Sequence, residues 1–447
     1  MKDFIRQAAH VKPSANQLRH ITETPFYAFV HFGPNSCSGC EWGTGAEDPS
    51  IFHPDELDCD SWCEAFKSAG MTGVVLTAKH HDGFCLWQSK YTDHCMKKSS
   101  YKDGKGDIVR ELSDACRRHG LKFGFYLSPW DRNSKYYGTP EYNTYYKNQL
   151  TELLTEYGDI FYVWFDGACG EGPNGKKQVY DFDGYFELIA KYQPNACVFN
   201  DRGNIRWCGN EAGESRHAEW AVVPSELCPF CEIQTGPGPF AGSLTYMYNS
   251  NENIGSLSNI MYSKGLVFAP AEVDMSIRPG WFHHPEEEPH SLDKLFDTYI
   301  RCVGGNTTFN LNVPPMQNGR LDERDVKRLA ELGEKLRSAF GCELAENKKV
   351  VIAPYCGSDT QMTVDIHLGE STAINYLVFG ENIAEGQRIE NFIIQKPNDR
   401  GGWENIFDGT TVGTKRIVPL NGLTTDLLRI FVTSARDTPD FGKISVY

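Results

Sequence analysis

Between Phe26 and Phe340 the chain alternates short apolar runs with longer stretches of helical period, and few architectures accept that pattern. "GVVLTAKH" (73–80) follows a stretch that sets Trp62, Phe66 and Ala69 on one helical face. "DIVRELSDACRRHG" places Ile108, Leu112, Ala115 and Cys116 at helical spacing and ends on Gly120, suited to a left-handed cap; "KFGFYLSPW" comes next. A helix bearing Tyr146, Leu150, Leu153, Leu154 and Tyr157 precedes "IFYVWFDG", and one bearing Tyr185, Leu188, Ile189 and Tyr192 precedes "ACVFN". The cycle continues through "GLVFAP" (265–270), a helix over Leu292 to Val303, "TTFNLNV" and a last helix over 322–340. Runs buried on both sides and alternating with amphipathic helices predict a parallel sheet covered by helices. With six or seven such strands legible, a (β/α)₈ barrel is the leading α/β architecture. A doubly wound open sheet competes, but no glycine-rich phosphate loop follows the first strand.

After Gly341 the texture changes. "MTVDIHLG", "INYLVFGE", "IENFIIQ" and "DLLRIFVTS" alternate with period two between glycine, asparagine and proline turns, which predicts an antiparallel β-sandwich. The expected division is a barrel-like catalytic domain over 1–341 and a sandwich over 342–447.

A net charge of -15 argues against a nucleic acid or an anionic membrane as partner and favours a neutral, sugar-like one. The N-terminus has no apolar signal core, and no apolar run is long enough to span a bilayer, so a soluble, cytoplasmic protein is expected. Fifteen cysteines, odd in number and widely spaced, fit reduced thiols better than a disulfide framework. Cys37 with Cys40, and Cys228 with Cys231, could each supply half of a zinc site. They lie far apart in sequence and are read as incidental thiols, with no metal or cofactor expected.

In a parallel barrel, residues at the C-terminal ends of strands face the active site. Those ends read "HFG" (His31), "KHHDGF" (79–84), "YLSPWD" (126–131), "WFDG" (164–167) and "NDRGNIRW" (200–207), a polar and aromatic set that points to an enzyme. Asp166 is the sharpest element. A carboxylate at the end of a buried strand must be paired, hydrogen-bonded or functional. It is either an N-cap or arginine partner, or a nucleophile or general base walled by Trp164. Cleavage of a glycosidic bond needs a second carboxyl to protonate the leaving oxygen. The loop "CGNEAGESRHAEW" offers Glu211, Glu214 and Glu219, which spacing alone does not rank. His80 and His81, as neighbours on a strand, are expected to face opposite sides, one in the pocket and one buried. No further ligand spacing accompanies them that would build a zinc site.

The stretches "FVHFGPNSCSGCEWGTG", "VVLTAKHHDGFCLWQSKYTDH", "LKFGFYLSPWDRN" and "VWFDGACGEGPNGKKQVYD" resemble the family 29 glycoside hydrolases, the retaining α-L-fucosidases, and the resemblance runs through the whole chain in order. "EWGTG", "RWCGNEAGES" and "AEVDMSIRPGWFHH" look like the subfamily that prefers α-1,3- and α-1,4-linked fucose on branched, Lewis-type oligosaccharides. The C-terminal region is similar to that subfamily's galactose-binding-like sandwich. The resemblance implies that Asp166 of "WFDG" is the nucleophile and Glu211 of "GNEAG" the general acid/base. It implies that His31, Glu41, Trp42, His80, His81 and Tyr126 hold the fucose hydroxyls, and that Trp164 and Trp281 contact the sugar's methyl face. The substrate it implies is a fucosylated oligosaccharide or glycan, with no cofactor.

Overall fold

The computed structural model describes residues 2–199, 204–228 and 253–447. Ten strands lie in its first three-quarters: β1 (Phe26–Val30), β2 (Gly73–Lys79), β3 (Lys122–Leu127), β4 (Tyr162–Trp164), β5 (Cys197–Phe199), β6 (Arg206–Trp207), β7 (Val222–Pro224), β8 (Leu266–Phe268), β9 (Ala271–Ser276) and β10 (Thr307–Asn312). Eight of these form one sheet in the order β5-β4-β3-β2-β1-β10-β9-β6, with every neighbouring pair parallel. A parallel bridge from Phe199 to Ile205 brings the two outer strands together, so the sheet nearly closes into the expected barrel.

The two-residue period of each strand explains why its sequence shows no wet side. Phe26, Ala28, Val30, Val74 and Leu76 point outward into one core with Trp62, Phe66, Leu112 and Cys116 of the covering helices. Tyr27, Phe29, Val75, Tyr126, Tyr162 and Trp164 form a second, interior cluster. Each fully buried side chain of this size contributes about 1.5–3 kcal/mol. The helix Ile108–His119 shows how local signals set the spacing of the staves. Asp107 accepts the Arg110 amide at 2.8 Å to start it, and Gly120, at φ +70°, ends it one residue before the turn into β3.

One expected stave is misplaced. "GLVFAP" contributes β8, which pairs antiparallel with β7 in a separate two-stranded sheet, and the barrel strand is the next segment, "AEVDMS". The polar residues of β9 hide it from an apolar-run reading, because they point into the barrel and are satisfied there.

The C-terminal strands are β11 (Lys349–Pro354), β12 (Met362–Glu381), β13 (Ile389–Pro397), β14 (Trp403–Thr410), β15 (Arg416–Ala435) and β16 (Phe441–Val446), all joined antiparallel in one sheet. "MTVDIHLG" and "INYLVFGE" belong to the single strand β12, whose register against β15 shifts between His367 and Thr372 and again between Ile374 and Tyr376. Gly369, at φ +87°, lies inside the first shift. Such bulges bend a strand, so β12 and β15 each run through both halves of a structure enclosing one core that includes Val364, Leu377, Phe392 and Ile430. Contacts that tie it to the barrel include the bridge between Gly305 and Arg416, Asn306 Oδ1 accepting the Thr414 amide at 2.7 Å, and Gln387 Oε1 accepting the Ala221 amide at 2.8 Å. Among the described residues no helix is long and apolar enough to cross a membrane.

Candidate active site

The C-terminal strand ends surround a cavity of about 530 Å³ lined by His31, Glu41, Trp42, His80, His81, Tyr126, Trp164, Asp166, Glu211 and Trp281, joined by Phe29, Phe199, Trp207 and Asp274. All ten residues singled out from sequence therefore reach one pocket. Asp166 follows β4 by two residues. Its partners are neither an arginine nor a helix terminus: Tyr126 OH donates to Oδ2 at 3.1 Å, the Ala168 amide donates to Oδ1 at 2.7 Å, and His81 Nε2 lies 3.9 Å from Oδ2. Its side chain keeps 26% of its surface open to the cavity. The carboxylate is thus oriented by two donors while remaining accessible.

His80 and His81 do not take opposite sides. β2 ends at Lys79, so the alternation of a strand stops before the pair, and both rings turn into the cavity with centroids 4.2 Å apart. His81 Nδ1 contacts Ser128 Oγ at 2.7 Å, and the His80 ring stacks on Tyr126 at 5.7 Å. Burial holds both imidazoles below their usual pKa, His80 strongly so. His31 is pushed down to about 3, chiefly by burial. Its tautomer follows from Asn312, whose amide nitrogen donates to Ser276 Oγ and to the Trp281 carbonyl, each at 2.8 Å. The Asn312 oxygen must then face His31 Nδ1, 2.9 Å away, which assigns the proton to Nδ1 and leaves Nε2 as an acceptor. Three neutral histidines can both donate to and accept from sugar hydroxyls. Among the described residues no group of three metal-binding side chains gathers.

Glu41 locks the loop after β1 to the loop after β9. Its Oε1 meets His284 Nε2 at 2.8 Å and its Oε2 accepts the Trp281 amide at 3.0 Å. Trp281 in turn donates its indole N–H to Glu211 Oε2 at 3.2 Å. Trp42 is 59% exposed at the rim, edge-on to both His81 and Trp130. Trp164 stacks on Phe199 at 4.1 Å and 7°, and on Tyr126 at 5.3 Å.

The three glutamates left open by spacing now separate. Glu211 reaches the cavity from its loop, and its carboxyl is raised above its usual pKa, first by burial and then by the charges of Asp166 and Glu41, partly offset by Trp281. Glu214, exposed on this loop as Glu211 also is, is not among the described lining residues of the cavity. Glu219 is wholly buried in ion pairs with Arg206 and, at 3.5 Å, with Arg216. Burial alone would raise its pKa, but the two arginines outweigh it and hold the group ionised. Glu219→Ala leaves a buried guanidinium uncompensated and is expected to cost about 3–5 kcal/mol in urea unfolding. Because the folded carboxyl titrates below its unfolded value, the pair's contribution is present at neutral pH and is lost as pH falls through the folded pKa.

This geometry can be set beside known proteins. The family model described as Alpha-L-fucosidase matches residues 44–221. The Arabidopsis thaliana protein named Alpha-L-fucosidase 1 is 38% identical over 97% of this chain and 87% of its own length. The chain belongs to the α-L-fucosidase family, glycoside hydrolase family 29. Among solved members, a rumen-bacterial protein of the family superposes with a TM-score of 0.85 at 37% identity, covering 98% of this chain and 77% of its own. A Ruminococcus gnavus fucosidase of the family, solved in complex with fucose, gives 0.85 at 30% identity, covering 98% and 95%.

Sequence reasoning about the family site missed Glu272 and Asp274 of β9 and the rings of Phe29 and Phe199, while Trp207 stood only at the end of a strand-end motif with no role assigned. Trp207 donates its indole N–H to Asp274 Oδ1 at 2.8 Å, and burial raises the Asp274 carboxyl well above its usual pKa. The signal was present in "AEVDMS", where acids alternate with apolar residues at strand period. Of the cysteine pairs, Cys37 and Cys40 carry free thiols, with burial pushing Cys37 up to about 11. Cys228 is buried with a free thiol, and Cys231 lies outside the described residues, as do Asn200 to Gly203 of the strand-end motif.

Proposed function

We propose that this chain is a retaining, exo-acting α-L-fucosidase that removes α-1,3- and α-1,4-linked fucose from branched, Lewis-type oligosaccharides, with Asp166 as nucleophile and Glu211 as general acid/base. The observation that carries the reading is the contrast between two carboxyls in one cavity. Asp166 is held as an acceptor by Tyr126 and the Ala168 amide, whereas Glu211 is shifted toward its protonated form. Two carboxyls with opposed environments are what acid-assisted displacement requires.

In the first step an Asp166 oxygen bonds to the anomeric carbon from the face opposite the aglycone. The glycosidic C–O bond breaks, and the Glu211 proton passes to the leaving oxygen. A β-fucosyl ester results. In the second step Glu211, now a carboxylate, takes a proton from water whose oxygen attacks the same carbon. The ester bond breaks, releasing α-L-fucose and free Asp166. His31, Glu41, Trp42, His80, His81 and Tyr126 hold the sugar's hydroxyls, while Trp164 and Trp281 face its methyl edge. Residues 342–447 act as a galactose-binding-like accessory module.

The linkage reading is tested by following anomeric protons by NMR during digestion of a Lewis-type trisaccharide beside an unbranched α-1,2-linked one. Cleavage of the branched sugar alone, with α-fucose appearing first, is the expected result. Equal rates on both would remove the linkage preference, and β-fucose appearing first would overturn retention.

A further inference from the structure

Beneath the cavity floor, inside the barrel, lies a carboxyl that the reaction just described does not use. Glu272 of β9 is fully buried and collects donors from three other strands. Trp164 Nε1 donates to Oε1 at 2.8 Å and Asn310 Nδ2 donates to the same oxygen at 3.2 Å. Tyr162 OH donates to Oε2 at 2.7 Å, and Tyr27 OH donates there as well. Burial raises its pKa, and these four hydrogen bonds oppose the rise. Tryptophan and the asparagine NH₂ offer only protons, so Oε1 is fixed as an acceptor, while Oε2 faces two tyrosine hydroxyls that can donate or accept. A stave of the core could have been built from an aliphatic residue here at no desolvation cost.

What the carboxylate holds is specific. The Trp164 indole N–H points down to Glu272, while its ring is clamped between Phe199 and Tyr126. Tyr126 donates to Asp166 Oδ2, and Trp164 precedes Asp166 by two residues at the end of β4. Two routes, one through the stacked rings and one along the backbone, therefore connect Glu272 to the attacking oxygen. We propose that Glu272 is a positioning residue of the fucosidase reaction, fixing Trp164 from below so that Tyr126 and Asp166 keep the geometry of attack. It does not touch the sugar. The proposal rests on Asp166 being the nucleophile.

The test measures Glu272→Gln and Trp164→Phe, singly and together, in two backgrounds on an activated aryl α-L-fucoside. Gln keeps the shape of the side chain but turns one acceptor oxygen into a donor, and Phe keeps a ring while losing only the indole's second ring and N–H. In the otherwise wild-type enzyme each is expected to lower kcat by about 10- to 100-fold, with KM within about threefold in Glu272→Gln because that residue does not touch the sugar, and the double variant to be no slower than the worse single one. In an Asp166→Gly background, azide replaces the missing carboxylate and no longer depends on where Asp166 is held. There the azide-dependent rate is expected to change by less than about threefold on adding Glu272→Gln. A loss as large in the azide background, or a loss carried by KM, would reduce Glu272 to a structural member of the core and overturn the proposal. If Glu272→Gln does not fold, Trp164→Phe decides alone, and unchanged kcat in it overturns the proposal too. An Asp166→Gly enzyme that keeps its activity without azide instead sinks the nucleophile assignment.

Discussion

Asp166→Gly is expected to lower kcat on an activated aryl α-L-fucoside by about 10⁴-fold or more, because no other accessible carboxylate is oriented by the Tyr126 hydroxyl and the Ala168 amide. The fold is expected to survive. Asp166 is partly open to the cavity and its deletion forfeits two hydrogen bonds, each worth about 1 kcal/mol net. The space left is bounded by Tyr126, Trp164 and His81, and a small anion can occupy it. Added azide is therefore expected to restore turnover with a β-fucosyl azide as product, identified by its anomeric proton coupling. That product carries the argument beyond loss of function, since a merely structural aspartate leaves no position from which an exogenous nucleophile attacks the anomeric carbon. Undiminished hydrolysis by the glycine variant would remove Asp166 from the reaction.

The barrel was legible because its strands bury both faces. In β1 and β2 every residue is buried, so the sequence reads as a mainly apolar run and the intervening helices declare themselves by spacing and caps. Legibility failed where the barrel interior is polar. Glu272, Asp274 and Ser276 are satisfied by Tyr27, Tyr162, Trp164, Trp207 and Asn312, partners that come from distant segments, so the local pattern of β9 resembles a surface strand while the adjacent "GLVFAP" resembles a stave. The same limit applied to the glutamate of the cavity. Nothing in "CGNEAGESRHAEW" tells which acid reaches the cavity, because the decision lies in Arg206 and Arg216 claiming Glu219 and in Trp281 reaching Glu211. His80 and His81 were misjudged for a simpler reason. The strand ends one residue earlier than its apolar run suggests, and alternation stops with it.

Glu211→Ala separates the two halves of the acid/base role. With a poor leaving group such as a sugar hydroxyl, departure of the alkoxide needs the proton, and kcat/KM is expected to fall by about 10²- to 10⁴-fold. With a dinitrophenyl fucoside the leaving group departs as an anion without help, so the first step is nearly unchanged and only hydrolysis of the ester slows. A burst of phenolate followed by a slow steady state is the expected trace. The pH profile gives an independent check. The proposed role requires Glu211 to be protonated in the free enzyme, and its pKa is raised by burial and by Asp166 and Glu41, so wild-type kcat/KM is expected to stay high until the pH rises through that elevated value and then fall. In Glu211→Ala that alkaline limb should vanish. Retention of the alkaline limb, or an equal loss on natural and activated substrates, would move the proton donor to another residue; among the glutamates of this loop Glu219 is an unsuitable replacement, because its two arginines hold it ionised throughout the working range.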